Sequence, residues 1–295
     1  MTVAILLAGC DVKDPIFDTS HPGHGTVTLT TDWSGIGTGL TAPESYTVAA
    51  TREGSATAGY SATLTGVTNR LDHLFEPGTY RFLVYNTPEH ITVSGTIATV
   101  SEAAVTPTDA VPADNPGPMI SNAPGWLFSS EAKLDVVQDA EHTLTAAMQQ
   151  HMRELTLIIK PGGDAKDRIE RIEGYLTGAA STLDLSSGTP GTPQSVELPF
   201  TKITEGAQAG SWSATVRLLG TAGSEQRLKA DICFAGGNPL PHTVNSGLTS
   251  APATFNADKR TPLTLDGTVE TPPEAGFTAT ITDWETVTGG PVVAE

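Results

Sequence analysis

Basic residues, cysteines and long apolar runs are all scarce in this chain. Its 295 residues carry 16 Lys and Arg against 33 Asp and Glu, a net charge of −17. Such a surface repels phosphate backbones and excludes nucleic acid as a partner, while the acidity favours solubility outside the cell. No run of 18 apolar residues exists, so no transmembrane helix is expected. With only two cysteines, Cys10 and Cys233, neither a disulfide framework nor a thiolate metal site is supported. The sequence also lacks His-Glu-x-x-His, Gly-x-Ser-x-Gly and a phosphate-binding glycine loop. No cofactor is expected. Catalytic carboxylates leave no local signature, so an enzyme stays open only as a cleft with converging acids.

What is present is β chemistry. Threonine is abundant, and 30 glycines and 21 prolines supply turns, whereas helix-forming stretches are few. The N-terminus, Met1-Thr-Val-Ala-Ile-Leu-Leu-Ala-Gly-Cys10, is an apolar stretch with small residues directly before a cysteine. Leu7-Ala8-Gly9-Cys10 resembles a bacterial lipobox, which makes Cys10 the candidate lipidation site. The stretch is short and has no basic start. Either translation begins upstream or the apolar N-terminus is fortuitous; the polar tether that follows favours the lipobox. Three acyl chains, as a lipobox implies, suffice for stable anchoring. Asp11 and Asp14 around Lys13 resemble the surface-export signal of some Gram-negative lipoproteins.

The organisation predicted is all-β: a signal segment over 1–10, a tether over 11–24, and β-sandwich domains over 25–152 and 153–295. Thr26–Thr31 alternates as a first strand, placing Val27 and Leu29 on one face. Ser45–Thr51 and Tyr60–Leu64 follow. Leu74-Phe75, a Glu76-Pro-Gly78 turn and Thr79–Asn86 read as a hairpin with Tyr80, Phe82 and Val84 facing inward. His90–Val100 is a strand, 101–125 a long loop inside the first domain, and Thr143–Met152 a closing strand in spite of its helix-prone Ala-Ala-Met-Gln-Gln. The second domain opens at Glu154–Lys160. One short helix is expected over Asp164–Leu176, because Asp164 can cap it and Ile169, Ile172 and Leu176 fall at helical spacing. Strands are predicted at 194–203, 211–219, 226–235, 261–270 and 276–284.

The remaining conspicuous residues read as structural. Cys233 sits in an alternating strand opposite Ala230, Ile232 and Phe234, as a small buried hydrophobe. His21 and His24 lie in the tether with no carboxylate at hand. Trp126, Trp212, Tyr46 and Tyr175 could stack on sugars if exposed, but strand aromatics usually belong to cores. Arg168 and Arg171 read as a solvated face. Thr31-Asp32-Trp33 recurs as Thr282-Asp283-Trp284, but aligned on it Val27 and Leu29 meet Thr278 and Thr280. The apolar faces are out of phase, so the recurrence is fortuitous.

Taken in order, the lipobox at Cys10, His24–Ser34, Pro77–Asn86, His151–Ile159, Arg168–Gly178 and Phe277–Glu285 resemble the fimbrillin-like lipoproteins of type V pili. The resemblance covers nearly the whole chain and favours the anchor or minor-subunit branch. It implies two tandem transthyretin-like β-sandwiches, an outer-membrane, lipid-anchored position at the cell surface, other fimbrial subunits as partners, and a non-catalytic role contributing to adhesion. In that family, shaft subunits lose a first strand to cleavage after Arg or Lys, and a neighbour's strand replaces it. Here the loop over 32–44 contains neither residue, which points to a subunit that keeps its first strand. The expected assembly strands are therefore the one holding Val27 and Leu29 and a free C-terminal segment holding Phe277, Ala279 and Ile281. The alternatives are a shaft or tip adhesin assembled by donor-strand exchange, and a surface glycan-binding lipoprotein; a host glycan or protein remains a conceivable partner for any of them.

Overall fold

The computed structural model describes residues 23–103, 118–237, 239–248, 252–273 and 277–287. Cys10, His21 and the tether over 11–22 lie outside them. The described chain is mostly β, in several sheets. Its N-terminal half supplies Thr26–Asp32 (β1), Ser45–Arg52 (β2), Tyr60–Thr65 (β3), Thr68–Arg70 (β4), Gly78–Tyr85 (β5), Ile91–Ser94 (β6), Ile97–Val100 (β7), Met119–Ile120 (β8), Phe128–Val136 (β9), Glu141–Ala147 (β10) and Gln149–Gln150 (β11). β10, β1 and β4 form one sheet, and β11, β9, β5, β2 and β3 form another. The two share one core, because period-2 alternation sends Val27 and Leu29 from β1 and Tyr46, Val48 and Ala50 from β2 inward. Tyr80, Phe82 and Val84 are buried as their alternation predicts.

The hairpin expected around Glu76–Gly78 does not form. Phe75 bridges Gly25 in the β1 sheet, and β5 pairs instead with β2 and β9. The reason is packing: Phe75 is fully buried with its ring 5.3 Å from Tyr80 and 5.6 Å from Phe82. The turn thus carries the chain from one sheet to the other.

The C-terminal half supplies Arg153–Gly162 (β12), Ile169–Asp184 (β13), Thr189–Leu198 (β14), Thr201–Lys202 (β15), Trp212–Leu218 (β16), Arg227–Phe234 (β17), His242–Gly247 (β18), Pro252–Ala257 (α1), Leu263–Glu270 (β19), Thr278–Ala279 (β20) and Glu285–Thr286 (β21). One sheet runs β15-β16-β12-β19-β21 and the other β20-β18-β17-β13-β14-β8. The helix predicted over Asp164–Leu176 is a 3₁₀ turn at Lys166–Arg168 followed by the 16-residue β13. A bulge between Ile169 and Arg171 inserts an extra residue, so Ile169 and Ile172 both face inward while three apart. Helical spacing was therefore imitated by a bulged strand. The one α-helix among the described residues is α1, and β18 is a strand the alternation did not announce.

A second correction concerns 90–120. The expected single strand is the β6–β7 hairpin, and β7 pairs with β13 while β8 pairs with β14. These strands, placed by sequence in the first sandwich, extend the sheet of the other half. Ile91, Ala98, Val100 and Ile120 accordingly bury in the C-terminal core with Leu157, Ile159, Leu176 and Ile232.

Candidate assembly strands

β1 is the central strand of its sheet. It pairs in parallel with β10 over seven residues, Thr26 with Glu141 through Asp32 with Ala147, and antiparallel with β4. Backbone bonds extend the parallel contact beyond both ends: the Asp139 amide donates to the His24 carbonyl at 2.7 Å, and the Met148 amide to that of Asp32 at 2.8 Å. Val27 and Leu29 are completely buried. At the start of β1 a Cβ on Gly25 would lie 2.4 Å from Val136 Cγ1 and 2.8 Å from the Val137 carbonyl oxygen, so only glycine admits the close approach there. At its end Trp33 donates through Nε1 to Thr31 Oγ1 at 2.9 Å and packs edge-on against Phe128.

The nearest basic residue after β1 is Arg52, at the end of β2 in the other sheet. Its guanidinium donates to Glu76 and to the Pro77 carbonyl, both at 2.7 Å. Cleavage there would separate two strands belonging to two different sheets.

The C-terminal segment is not free. β20 pairs in parallel with β18, and β21 antiparallel with β19, so 277–287 spans the edges of both sheets of its own half. Ala279 and Ile281 are buried, at 5% and 1% exposure, whereas Phe277 is exposed at 37%. A Cβ on Gly267 would meet Ile281 Cγ2 at 2.3 Å. Trp284 Nε1 donates to Ser246 Oγ at 3.0 Å, and Ser246 Oγ donates to the Ile281 carbonyl. Thr278 and Thr280 face outward, opposite in phase to Val27 and Leu29, so this segment presents no copy of the β1 apolar face.

Between the halves lies a polar junction for which the sequence held no local signal. Gln150 accepts from the Gly37 amide at 2.8 Å and donates to the carbonyls of Met152 at 2.7 Å and Lys259 at 2.6 Å. Arg153 donates to the carbonyls of Thr261 and Thr254. Ser129 Oγ and His151 Nε2 are 2.7 Å apart, 22 residues distant in sequence and in no recognisable motif. Both side chains are buried, and the pair satisfies polar groups that would otherwise be stranded. Burial, with Lys259 adding repulsion, lowers the His151 pKa to about 4, keeping its imidazole neutral. Burial and nearby Arg153 lower the Lys259 pKa to about 8.

The other candidates resolve into packing. Tyr46, Tyr175 and Trp212 are buried, and Trp126 is half-buried beneath the Arg217 guanidinium, 4.4 Å from the ring centre. Cys233 is buried, and burial raises its thiol pKa against the pull of Arg171; a thiol so held is a poor nucleophile. Among the described residues no cluster of three or more His, Cys, Asp or Glu could hold a metal ion, and no helix is long and apolar enough to cross a membrane.

Residues 50–289 match the profile of the family described as fimbrillin-A associated anchor proteins Mfa1 and Mfa2. A comparison with curated protein sequences returns no match. Among solved structures, an adhesin candidate from Bacteroides ovatus superposes with a TM-score of 0.61 at 14% identity, covering 92% of this chain and 97% of its own. The fimbrial anchor protein Mfa2 from Porphyromonas gingivalis gives 0.54 at 12% identity, covering 84% and 90%. A candidate polysaccharide-binding protein from Bacteroides thetaiotaomicron gives 0.55 at 7% identity, covering 90% and 98%. At such identities the superpositions show a shared fold, while the profile, matching most of the chain, carries the kinship. The chain belongs to the family of fimbrillin-A associated anchor proteins, and it is a non-enzymatic structural protein of cell-surface fimbriae whose partners are other fimbrial subunits.

Proposed function

We propose that this subunit anchors a fimbria to the outer membrane through a lipid on Cys10 and assembles with its first strand in place. The observation that carries the reading is the position of β1, central in its sheet with Val27 and Leu29 fully buried. Removing it would expose those side chains, each worth about 1.5–3 kcal/mol when buried, and would strip β10 and β4 of the one strand partner each has in that sheet among the described residues. The lack of any Lys or Arg from Asp14 to Thr51 leaves a trypsin-like protease no site that would free β1 alone.

The architecture in this reading is two tandem transthyretin-like sandwiches over 25–152 and 153–295. Two separate apolar cores and the start of β12 at Arg153 support the division, with β6–β8 as an arm of the first unit laid along the second. A glycan-binding role draws little support, because the aromatics that would form a sugar platform are mostly buried. The proposal is tested by digesting the folded protein with an Arg-specific protease and following mass and oligomeric state. The expected product keeps β1 and forms no SDS-resistant polymer; a single clean cut followed by polymers would make this a shaft subunit. In cells, Cys10→Ala should move the protein from the membrane to the soluble fraction.

A further inference from the structure

We infer that the β1–β10 ladder is a mechanical clamp, oriented so that tension between the N-terminal tether and the rest of the fimbria loads all its hydrogen bonds together. The inference rests on the anchor reading, which places the membrane before β1 and the fibre beyond the first half.

β1 and β10 run parallel. Tension from the membrane pulls β1 towards its N-terminal end, at Gly23. The chain leaving β10 passes through β11 directly into β12, so tension from the C-terminal half pulls β10 towards its C-terminal end. Two parallel strands pulled in opposite directions along their length slide in shear. The seven register pairs of the ladder share the load and must fail together. Antiparallel neighbours loaded at adjacent ends would instead peel apart, one pair at a time.

Other features of the ladder fit that duty. Among the described residues β10 is an edge strand whose strand partner in its sheet is β1, so the ladder is what joins β10 to the tether side of that sheet, while β11 on β9 and β7 and β8 on β13 and β14 share the load between the halves. Backbone bonds from Asp139 to His24 and from Met148 to Asp32 lengthen it at both ends. Val27 and Leu29 pair in register with His142 and Leu144, and Val27, Leu29 and Leu144 are buried in one core, so sliding by one residue would turn apolar side chains outward. The second half repeats the geometry: β12, which receives the chain, pairs in parallel with β19 over eight residues. Tension arriving at Arg153 and leaving beyond Glu270 meets a second ladder in shear.

Forced rupture reports the unfolding barrier and not equilibrium stability, so single-molecule pulling tests the inference directly. The full chain with Cys10→Ser carries one handle fused at its N-terminus and a second at Asp164→Cys, an exposed site just after β12. This pair loads the β1–β10 ladder in shear. In a second version the N-terminal handle is replaced by one at Ser34→Cys, exposed just after β1. The force then enters β1 and, through β12 and β11, β10 at the same C-terminal end of the parallel pair, and the ladder unzips. The expected result is a rupture force several-fold higher for the first version at the same loading rate, with equal stability in denaturant. Equal forces, or a higher force for the Ser34→Cys version, would overturn the clamp. Either result leaves the anchor reading to be judged separately, by fractionation of Cys10→Ala and by the protease digest.

Discussion

The side chain of Gln150, at the end of the first half, accepts the Gly37 amide at 2.8 Å and donates to the Lys259 carbonyl at 2.6 Å. One buried carboxamide thus ties together the loop after β1, the crossing between the halves and the loop after α1. A carboxamide suits the place because its oxygen accepts from an N–H while its two N–H groups donate to two carbonyls at once.

Truncating that bracket strands three backbone groups. Gln150→Ala is expected to destabilise the protein by about 2–4 kcal/mol, since each unsatisfied buried group costs about 1–3 kcal/mol and some will find water. Gln150→Glu should be no better, because a carboxylate keeps the Gly37 contact but turns an acceptor towards two carbonyls. Chemical denaturation of the two variants checks both statements; a Glu variant as stable as the parent would remove the bracket from the account.

Seating of the C-terminal segment predicts a contrast between two of its apolar residues. Ile281, buried against Gly267, should cost about 2–4 kcal/mol when changed to Ala. Phe277, at 37% exposure and in edge contact with His242, should cost clearly less, about 1 kcal/mol. Thermal unfolding of Ile281→Ala and Phe277→Ala measures the difference. Equal and small effects would mean that 277–287 is not held in its own half and is available to a neighbour.

The junction should also give the protein a measurable acid sensitivity. His151 has a folded pKa of about 4 against an ordinary 6.5, so between those values the unfolded chain binds the proton more tightly. Its share of stability is fully present above pH 6.5 and is lost as the pH falls towards 4, amounting to about 3 kcal/mol from linkage. Lys259 acts in the alkaline range with the same sign, because its folded pKa is lowered to about 8: stability should rise with pH above that value, until the unfolded lysine also loses its proton. Denaturation midpoints between pH 4 and 7 for the parent and His151→Asn check the first claim. The variant should lose the part of the slope that His151 supplies; an unchanged slope would place the acid sensitivity elsewhere.

Much of the molecule was legible in the sequence. Alternation in Thr26–Asp32 and Thr79–Tyr85 reports strands because a pleated chain with one buried face must repeat every two residues. Those positions, Val27, Leu29, Tyr80, Phe82 and Val84, are buried as read. The absence of Lys and Arg around β1, the acidic surface and the order of the motifs were likewise properties of the chain alone, and they sufficed to indicate the family. Tertiary structure decided what alternation cannot encode. Period 2 names the face a strand buries but not the sheet it joins, so β6–β8 went to the other half and Phe75 to the β1 sheet. A bulge made Ile169 and Ile172 imitate a helix, because an inserted residue changes spacing without changing which side meets the core. Parallel pairing of β1 with β10, 115 positions apart in register, and the bracket from Gln150 to Gly37 join segments with no local signature. Such contacts exist only once the core has closed and left these buried backbone groups to find partners.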